Sequence, residues 1–317
     1  MAMDSAQIAD QKVAVEAKTR RKSSLARQHI LRDWLFILPQ LTLFVMLTIV
    51  PLLVAIPILF TNMASFNDPT VASVGWHNFT VLFTDRSVQA DYIPALRRTL
   101  IFVLLNYSTV FIFGLSLALL MYEVGFRGGF FTVVYLPLMV SGLAVGYMAV
   151  MLFSRETGTI NLLLRDLRLI ETPIDIYSPQ GTALILPLLV GWRYAGYNMA
   201  IFLAGLLAIP RETIEASIVD GATYWQRLWK VYFPQMLPSF ILATTMCLIG
   251  SFAVFDELVA MGALYVNPEA KLLSILFFTY GFQVDRLAMG MTLAVITFLP
   301  LVLLGVFLQR LQRRLQY

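Results

Sequence analysis

The chain has 317 residues, of which 59% are hydrophobic and only 13% are charged, and its mean hydropathy is +0.76. A water-soluble fold cannot bury that much apolar surface, because a domain of about 300 residues hides only roughly 75% of the surface that its unfolded chain exposes. The composition excludes a soluble enzyme, a disordered protein and, with one cysteine, a disulfide scaffold. It indicates a polytopic membrane protein.

The N-terminal segment, residues 1–33, is basic and carries seven Lys and Arg residues. A topology signal at anionic lipid explains this charge better than a nucleic-acid arm does, so no nucleic acid is expected as a partner. The segment is not expected to be a cleavable signal peptide. The apolar run after it is longer than the about 7–15 residues of such peptides, and no A-x-A site follows.

Six apolar segments follow, each long enough to cross a hydrocarbon core of about 30 Å. Together they hold only three of the 42 charged residues, namely Arg193, Asp256 and Glu257. Continuous apolar runs favour helices, since barrel strands would alternate over about ten residues. The sequence therefore predicts an all-α membrane protein with six transmembrane helices. The segments are residues 34–62, 99–122, 129–153, 182–209, 235–262 and 287–309.

The distribution of Lys and Arg predicts the orientation. With the N-terminus inside, the internal segments hold 14 of these residues and the external segments hold eight. Because positive residues accumulate on the cytoplasmic side, both termini are predicted to be cytoplasmic, the second as a short tail at 311–317. The external connections are then long. They are residues 63–98, residues 154–181, which contain an amphipathic helical pattern from Ile160 to Leu167, and residues 263–286.

Residues 210–234 form the only sizeable internal connection. Pro210 and Glu212 suit the start of a helix, and Gly221 suits the left-handed residue that ends one. A second helix is predicted from the apolar spacing between Trp225 and Tyr232. Two short helices bent at Asp220-Gly221 are therefore expected outside the membrane.

Polar residues inside the spans are candidates for a solute pathway. Arg193 either pairs with Asp256 or Glu257 or lines a cavity, and the pair is favoured because an intramembrane charge is costly. Asp256 also suits a location at the membrane interface. The glycines of the second and third spans are expected to permit close helix packing. Each uncharged candidate alone more often serves helix packing than solute binding, and the candidates are Asn106, Tyr107, Tyr147, Tyr197, Asn198 and Ser251.

Catalytic and metal-binding patterns are absent from the sequence. There is no G-x-x-x-x-G-K-[ST] run for nucleotide. The two histidines, His29 and His77, lie far apart, and neither neighbours Cys247. No catalytic residue, metal site or cofactor is therefore predicted in this chain.

The internal connection contains the run Glu215-Ala216-Ser217-x-x-Asp220-Gly221-Ala222, with Pro234 and Pro238 beyond it. This run resembles the EAA loop of binding-protein-dependent ABC importer permeases of type I. Further similarity spans roughly residues 30–310. The runs Trp192-Arg193-x-x-Gly196-Tyr197 and Leu203-Ala204-Gly205 resemble the carbohydrate branch, and Leu38-Pro39 resembles the first permease of a pair.

The resemblance implies a core domain at 99–310 in a multi-pass protein of the bacterial plasma membrane, the inner membrane of a Gram-negative cell. It implies an importer of carbohydrate or a related polar solute, with an external solute-binding protein and a second permease. A different partner permease is expected, and a homodimer stays open. Two separate ATPase subunits would hold ATP and Mg²⁺. They would dock on Glu215, Ala216, Ser217, Asp220, Gly221 and Ala222.

Two other classes of membrane protein are also rich in apolar spans. An ion-coupled secondary carrier usually shows internal repeats and carboxylates at mid-depth in the membrane, and the sequence shows neither. An integral-membrane enzyme would need a catalytic constellation, which is absent. The sequence therefore favours a passive transport subunit, with the secondary carrier as the alternative.

Overall fold

A computed structural model describes residues 33–124 and 127–315. Within those ranges the regular structure is helical, apart from an isolated bridge between Thr61 and Ser73. The chain divides into two units, residues 1–59 and 60–317. Residues 1–32 of the predicted basic segment lie outside the described residues.

The first unit contains helix α1, Asp33–Ile58, with a π turn at Val45–Ile49. This helix matches the first predicted span, but it ends at Ile58, whereas the prediction placed the end at residue 62. The end lies one residue after Pro57.

The second unit holds the remaining helices. They are α2 (His77–Thr84), α3 (Arg86–Val124), α4 (Arg127–Tyr135, then a 3-10 turn at Leu136–Met139), α5 (Gly142–Leu152), α6 (Thr159–Asp166), α7 (Pro179–Leu207), α8 (Arg211–Val219), α9 (Tyr224–Arg227, extended by a π turn at Leu228–Tyr232 to Phe233–Gln235), α10 (Leu237–Ala253), α11 (Asp256–Ala260), α12 (Leu273–Phe278, then a π turn at Thr279–Gln283) and α13 (Leu287–Leu315).

Four stretches are long and apolar enough to cross a membrane: α1, α3, α10 with α11, and α13. The pair α4 and α5 makes a fifth if its two halves, bent by 90°, form one span. The remaining predicted segment, residues 182–209, forms the 29-residue helix α7, but Arg193, Asn198 and three tyrosine or tryptophan neighbours lower its hydropathy. By length and composition, the described residues thus support four or five of the six predicted spans.

The helix that contains the second predicted span starts before the span itself. The prediction placed its start at residue 99, whereas α3 begins at Arg86. The reason is a local cap, because the backbone N–H and the hydroxyl of Ser87 donate to Asp85 Oδ1 at 2.8 and 2.7 Å. Tyr280 further holds the extension by donating to Asp91 Oδ2 at 2.9 Å.

The third predicted span, residues 129–153, is not one continuous helix. Pro137 lies in the 3-10 turn that ends α4, and Val140 has an extended backbone. Ser141 then caps α5, since its Oγ accepts from Ala144 N at 3.2 Å. The amphipathic pattern at 160–167 is confirmed as helix α6.

Close packing in the second unit depends on glycines, as predicted. A Cβ at Gly114 of α3 would lie 2.9 Å from the Asn198 Cβ of α7. A Cβ at Gly146 of α5 would lie 2.5 Å from the Glu257 carbonyl oxygen of α11. Backbones therefore approach each other at these points, and α3 and α7 form the central pair.

Candidate functional site

A cavity of about 250 Å³ lies between α3, α7 and α10, and we refer to it as the inner cavity. Four of the nine predicted pathway residues line it: Asn106, Tyr197, Asn198 and Ser251. They come from three different helices, so the sequence alone did not place them together. The remaining lining residues are Val110, Val190, Tyr194, Met246, Cys247, Ile249 and Gly250.

Two asparagines give the inner cavity its chemistry. Asn106 and Asn198 are only 3% and 4% exposed. The Asn106 Nδ2 donates to Ser251 Oγ at 2.8 Å, and the Asn198 Nδ2 donates to the Tyr194 carbonyl at 3.1 Å. Their side-chain oxygens, however, have no hydrogen-bond partner among the described residues. Two buried acceptors without donors suit a ligand that brings hydroxyl groups, because an unpaired buried acceptor costs about 1–3 kcal/mol.

Tyr107 and Tyr147 do not line the inner cavity. The Tyr107 hydroxyl lies 3.2 Å from Thr244 Oγ1, and its ring stacks on Phe111 with 4.1 Å between centroids. Tyr107 thus joins α3 to α10. Tyr147 lies on α5, and 59% of its surface is exposed.

The charged residues form a separate site at the break between α4 and α5. Arg193 of α7 makes an ion pair with Glu257 of α11, whose side chain is only 5% exposed. The Arg193 Nε also donates to the Val140 carbonyl at 3.0 Å, an acceptor that lies outside any helix at the break. The favoured pairing is confirmed for Glu257, while Asp256 is exposed. We call Arg193, Glu257 and Val140 the clasp.

The internal connection folds into the predicted bend, which we call the elbow and define as residues 210–223. Gly221 has φ +74°, and no atom lies within 4 Å of the position of a Cβ there. Its N–H donates to the Ile218 carbonyl at 2.9 Å, and Ala222 N–H donates to the Ser217 carbonyl at 3.0 Å. These two bonds form a Schellman motif that closes α8. Pro210 differs from the prediction, since it precedes α8 as its N-cap.

The candidate docking residues lie on the surface of this elbow. Glu215, Ala216, Asp220 and Gly221 are exposed, and Ser217 and Ala222 are partly exposed. The helix after the elbow starts with a capping box of Thr223 and Gln226.

The second helix of the internal connection buries only half of its predicted apolar positions. Leu228 and Tyr232 are buried, and burial raises the pKa of the Tyr232 phenol. Trp225 and Trp229 are instead 67% and 64% exposed. Because both rings are exposed, we predict that these two tryptophans contact the membrane interface rather than other helices of this chain.

Sequence reasoning missed the seven other residues that line the inner cavity, and those with a polar or sulfur-containing side chain are Tyr194, Met246 and Cys247. A spacing of four residues connects Tyr194 to Asn198 and Cys247 to Ser251, which places each pair on one helix face. That spacing is the signal that would have found Tyr194 and Cys247, whereas Met246 has no such partner among the predicted residues. Across the described ranges, no group of three His, Cys, Asp or Glu residues has the arrangement of a metal site.

Comparison with known proteins places the chain among transport proteins. Residues 110–316 match the family model of the binding-protein-dependent transport system inner membrane component. The probable starch degradation products transport system permease AmyD of Thermoanaerobacterium thermosulfurigenes is 29% identical over 275 residues, 86% of this chain and 91% of the relative. The lactose transport system permease LacF of Rhizobium radiobacter is 27% identical, over 83% of this chain and 87% of the relative.

A solved structure shows the same fold. It is a bacterial ABC transporter involved in the import of the acidic polysaccharide alginate, with a TM-score of 0.73 and 24% identity over 90% of this chain and 98% of that chain. The family match covers well over half of the chain and agrees with the motif at residues 215–222. It rules out the ion-coupled secondary carrier. The chain therefore belongs to the inner-membrane components of binding-protein-dependent transport systems, the permease family of ABC importers.

Proposed function

We propose that this chain is a permease subunit that carries a carbohydrate or a related hydroxyl-rich solute inward across the bacterial plasma membrane. Family membership supports the transport role. The names of AmyD and LacF support the solute class, and so do the two open acceptors of Asn106 and Asn198. A neutral cavity with buried amide oxygens matches hydroxyl donors better than it matches ions.

The proposed topology has six spans and both termini in the cytoplasm. Helix α7 supplies the span that hydropathy alone does not identify. Its 29 residues reach about 44 Å, more than the hydrocarbon core requires. Its polar residues need not face lipid, because Arg193 is ion-paired and Asn198 is buried. This topology puts the elbow on the cytoplasmic side.

Separate ATPase subunits would dock on the elbow and supply the energy. The proposed contacts are Glu215 and Asp220, whose carboxylates suit arginine forks, and Ala216, Gly221 and their small neighbours, which allow close backbone approach. ATP and Mg²⁺ would then be bound by the ATPase subunits, and this chain would bind no cofactor. A second, different permease would complete the pathway, and an external binding protein would deliver the solute.

The proposed mechanism is alternating access. Nucleotide binding would close the ATPase subunits and pull the docked elbows together, which would open the solute path toward the outside. The observation that carries this mechanism is the Schellman closure of α8. It makes the elbow a defined turn that can transmit force rather than a flexible loop.

The matched variants Gly221→Val and Gly75→Val test this coupling role in the reconstituted importer. Both glycines have positive φ, +74° and +59°, and open space around a Cβ, so valine creates similar local strain at both sites. A left-handed conformation costs an L-residue about 1–2 kcal/mol, and a β-branched residue more. We expect Gly221→Val to lower solute uptake and solute-stimulated ATPase activity about tenfold or more. We expect Gly75→Val, in the external segment, to lower neither. Equal losses in both variants would contradict coupling through the elbow.

A further inference from the structure

A second cavity, of about 420 Å³, lies between the N-terminal ends of α3 and α7, and we call it the outer cavity. Arg97 and Arg98 line it on α3, and Glu269 lines it from the segment before α12. Further along the two helices its wall is apolar. The apolar residues there are Ile101 and Phe102 of α3 and Ala183 and Leu186 of α7, and Leu272 joins them from the position before α12.

The charges of the outer cavity do not balance. Arg98 and Glu269 neutralise each other through two contacts, Nε to Oε2 at 2.9 Å and Nη2 to Oε1 at 3.2 Å. Arg97 is exposed and makes no ion pair with an acid in the part of the chain that the structure describes. One positive charge therefore remains on the surface of the cavity.

With the six-span topology proposed above, the outer cavity lies across the edge of the membrane. The predicted apolar spans begin at residues 99 and 182, so Arg97 precedes the hydrocarbon region, while Phe102 and Leu186 lie within it. An arginine at this depth meets the phosphate layer of the bilayer, and the apolar wall meets the first part of the acyl chains.

We propose that the outer cavity binds one anionic phospholipid, with its phosphate on Arg97 and the start of one acyl chain against the apolar wall. The polar groups of the cavity favour this occupant over a sugar. Arg98 and Glu269 are paired, and the Thr182 hydroxyl donates to the Ile176 carbonyl and accepts from Asn267 Nδ2. Only Arg97 is left to bind a ligand, whereas a hydroxyl-rich solute needs several partners. A single cation beside an apolar wall matches an anionic amphiphile.

The test uses the full-length chain in nanodiscs of phosphatidylcholine that contain a minor fraction of phosphatidylglycerol. Native mass spectrometry of the chain released from the nanodisc counts the lipids of each type that stay bound. We expect preferential retention of one phosphatidylglycerol. We expect Arg97→Gln to weaken its retention about fivefold, since one arginine near an anionic headgroup contributes about 1 kcal/mol.

Two further variants make the test specific. Arg155→Gln removes another exposed external arginine that does not line the outer cavity, and it should leave retention unchanged. Ala183→Phe should reduce retention with Arg97 intact, because the larger side chain fills the cavity. Equal retention of both lipids, or equal losses in Arg97→Gln and Arg155→Gln, would overturn the proposal. Displacement of phosphatidylglycerol by millimolar inorganic phosphate would also overturn it, because the site would then be one for a soluble anion.

Discussion

The inner cavity and the clasp both contain polar side chains from the same membrane-spanning bundle. They differ in whether the hydrogen-bonding groups of these side chains have partners. In the clasp, Arg193 is bonded both to Glu257 and to the Val140 carbonyl. In the inner cavity, the side-chain oxygens of Asn106 and Asn198 are buried, and no donor from the described part of the chain reaches them. Both groups were candidates for the solute pathway on the same grounds, namely polarity within a span.

The difference separates structural from functional polar groups. A group whose hydrogen bonds are satisfied by the chain has nothing left to offer a ligand, so its removal should cost stability. A group left open costs stability in the folded state, and such a cost is typical of binding sites. The clasp should therefore respond to mutation through folding, and the inner cavity through transport.

The largest expected effect is the loss of one partner of the clasp. Glu257→Leu leaves the Arg193 guanidinium, whose side chain is only 15% exposed, without its acid, and breaking a largely buried pair costs about 3–5 kcal/mol. We expect a strong loss of thermal stability in detergent. The double variant Arg193→Met with Glu257→Met should recover most of it, because removing both charges leaves no unpaired ion. A double variant as unstable as the single one would show that the clasp acts by more than charge pairing.

A smaller effect is expected where α5 meets α11 beside the clasp. A Cβ at Gly146 would fall 2.5 Å from the Glu257 carbonyl oxygen and 2.6 Å from the Ala260 Cβ. Gly146→Ala should therefore cost about 1–3 kcal/mol, the usual range for overpacking, and it should be visible as a lower melting temperature. Gly305→Ala in α13 is the matched control, because no atom lies within 4 Å of a Cβ there. A neutral or stabilising Gly146→Ala would contradict the close contact.

The inner cavity should show the reverse behaviour. Asn198→Leu removes an open acceptor, so stability should change by no more than about 1 kcal/mol, whereas uptake of solute should fall about tenfold. Thr132→Val serves as the control and should leave uptake unchanged. It also removes a polar group, but Thr132 is an exposed residue of α4 that does not line the inner cavity. A loss of stability in Asn198→Leu as large as in Glu257→Leu would erase the distinction between the two regions.

The sequence predicted the parts of the fold that the bilayer dictates, because lipid requires long apolar helices. It also predicted the elbow, since Gly221 is needed where φ is +74°. Pro137 predicts a kink or a helix end, and α4 does end in the turn that contains it, but no pattern predicts the extended Val140, because the apolar run continues through it. The choice of Glu257 over Asp256 as the partner of Arg193 depends on how α5 and α11 pack, which a one-dimensional pattern does not contain.

The smallest expected effect concerns a satisfied polar group outside the spans, Asp85 at the start of α3. Hydrogen bonds from the Ser87 side chain and backbone lower the pKa of its carboxyl. A lowered pKa in the folded state means that the charged form stabilises the fold. This contribution is complete above the unfolded value of about 4 and is lost as pH falls through the lower folded pKa.

Asp85→Asn keeps a side-chain acceptor for Ser87 but cannot ionise. We expect its melting temperature to lie slightly below that of the wild type at pH 7, and the difference to shrink below about pH 4 as the wild-type carboxyl is protonated. Asp166→Asn, at the end of α6, is the control, because the same substitution there leaves the cap of α3 intact. If the difference in melting temperature stays constant from pH 7 to pH 3, the hydrogen-bond geometry of the Asp85 side chain, and not its charge, stabilises the start of α3. Satisfied polar groups would then stabilise this protein in two ways: the clasp by pairing buried charges, and the cap of α3 by hydrogen-bond geometry alone.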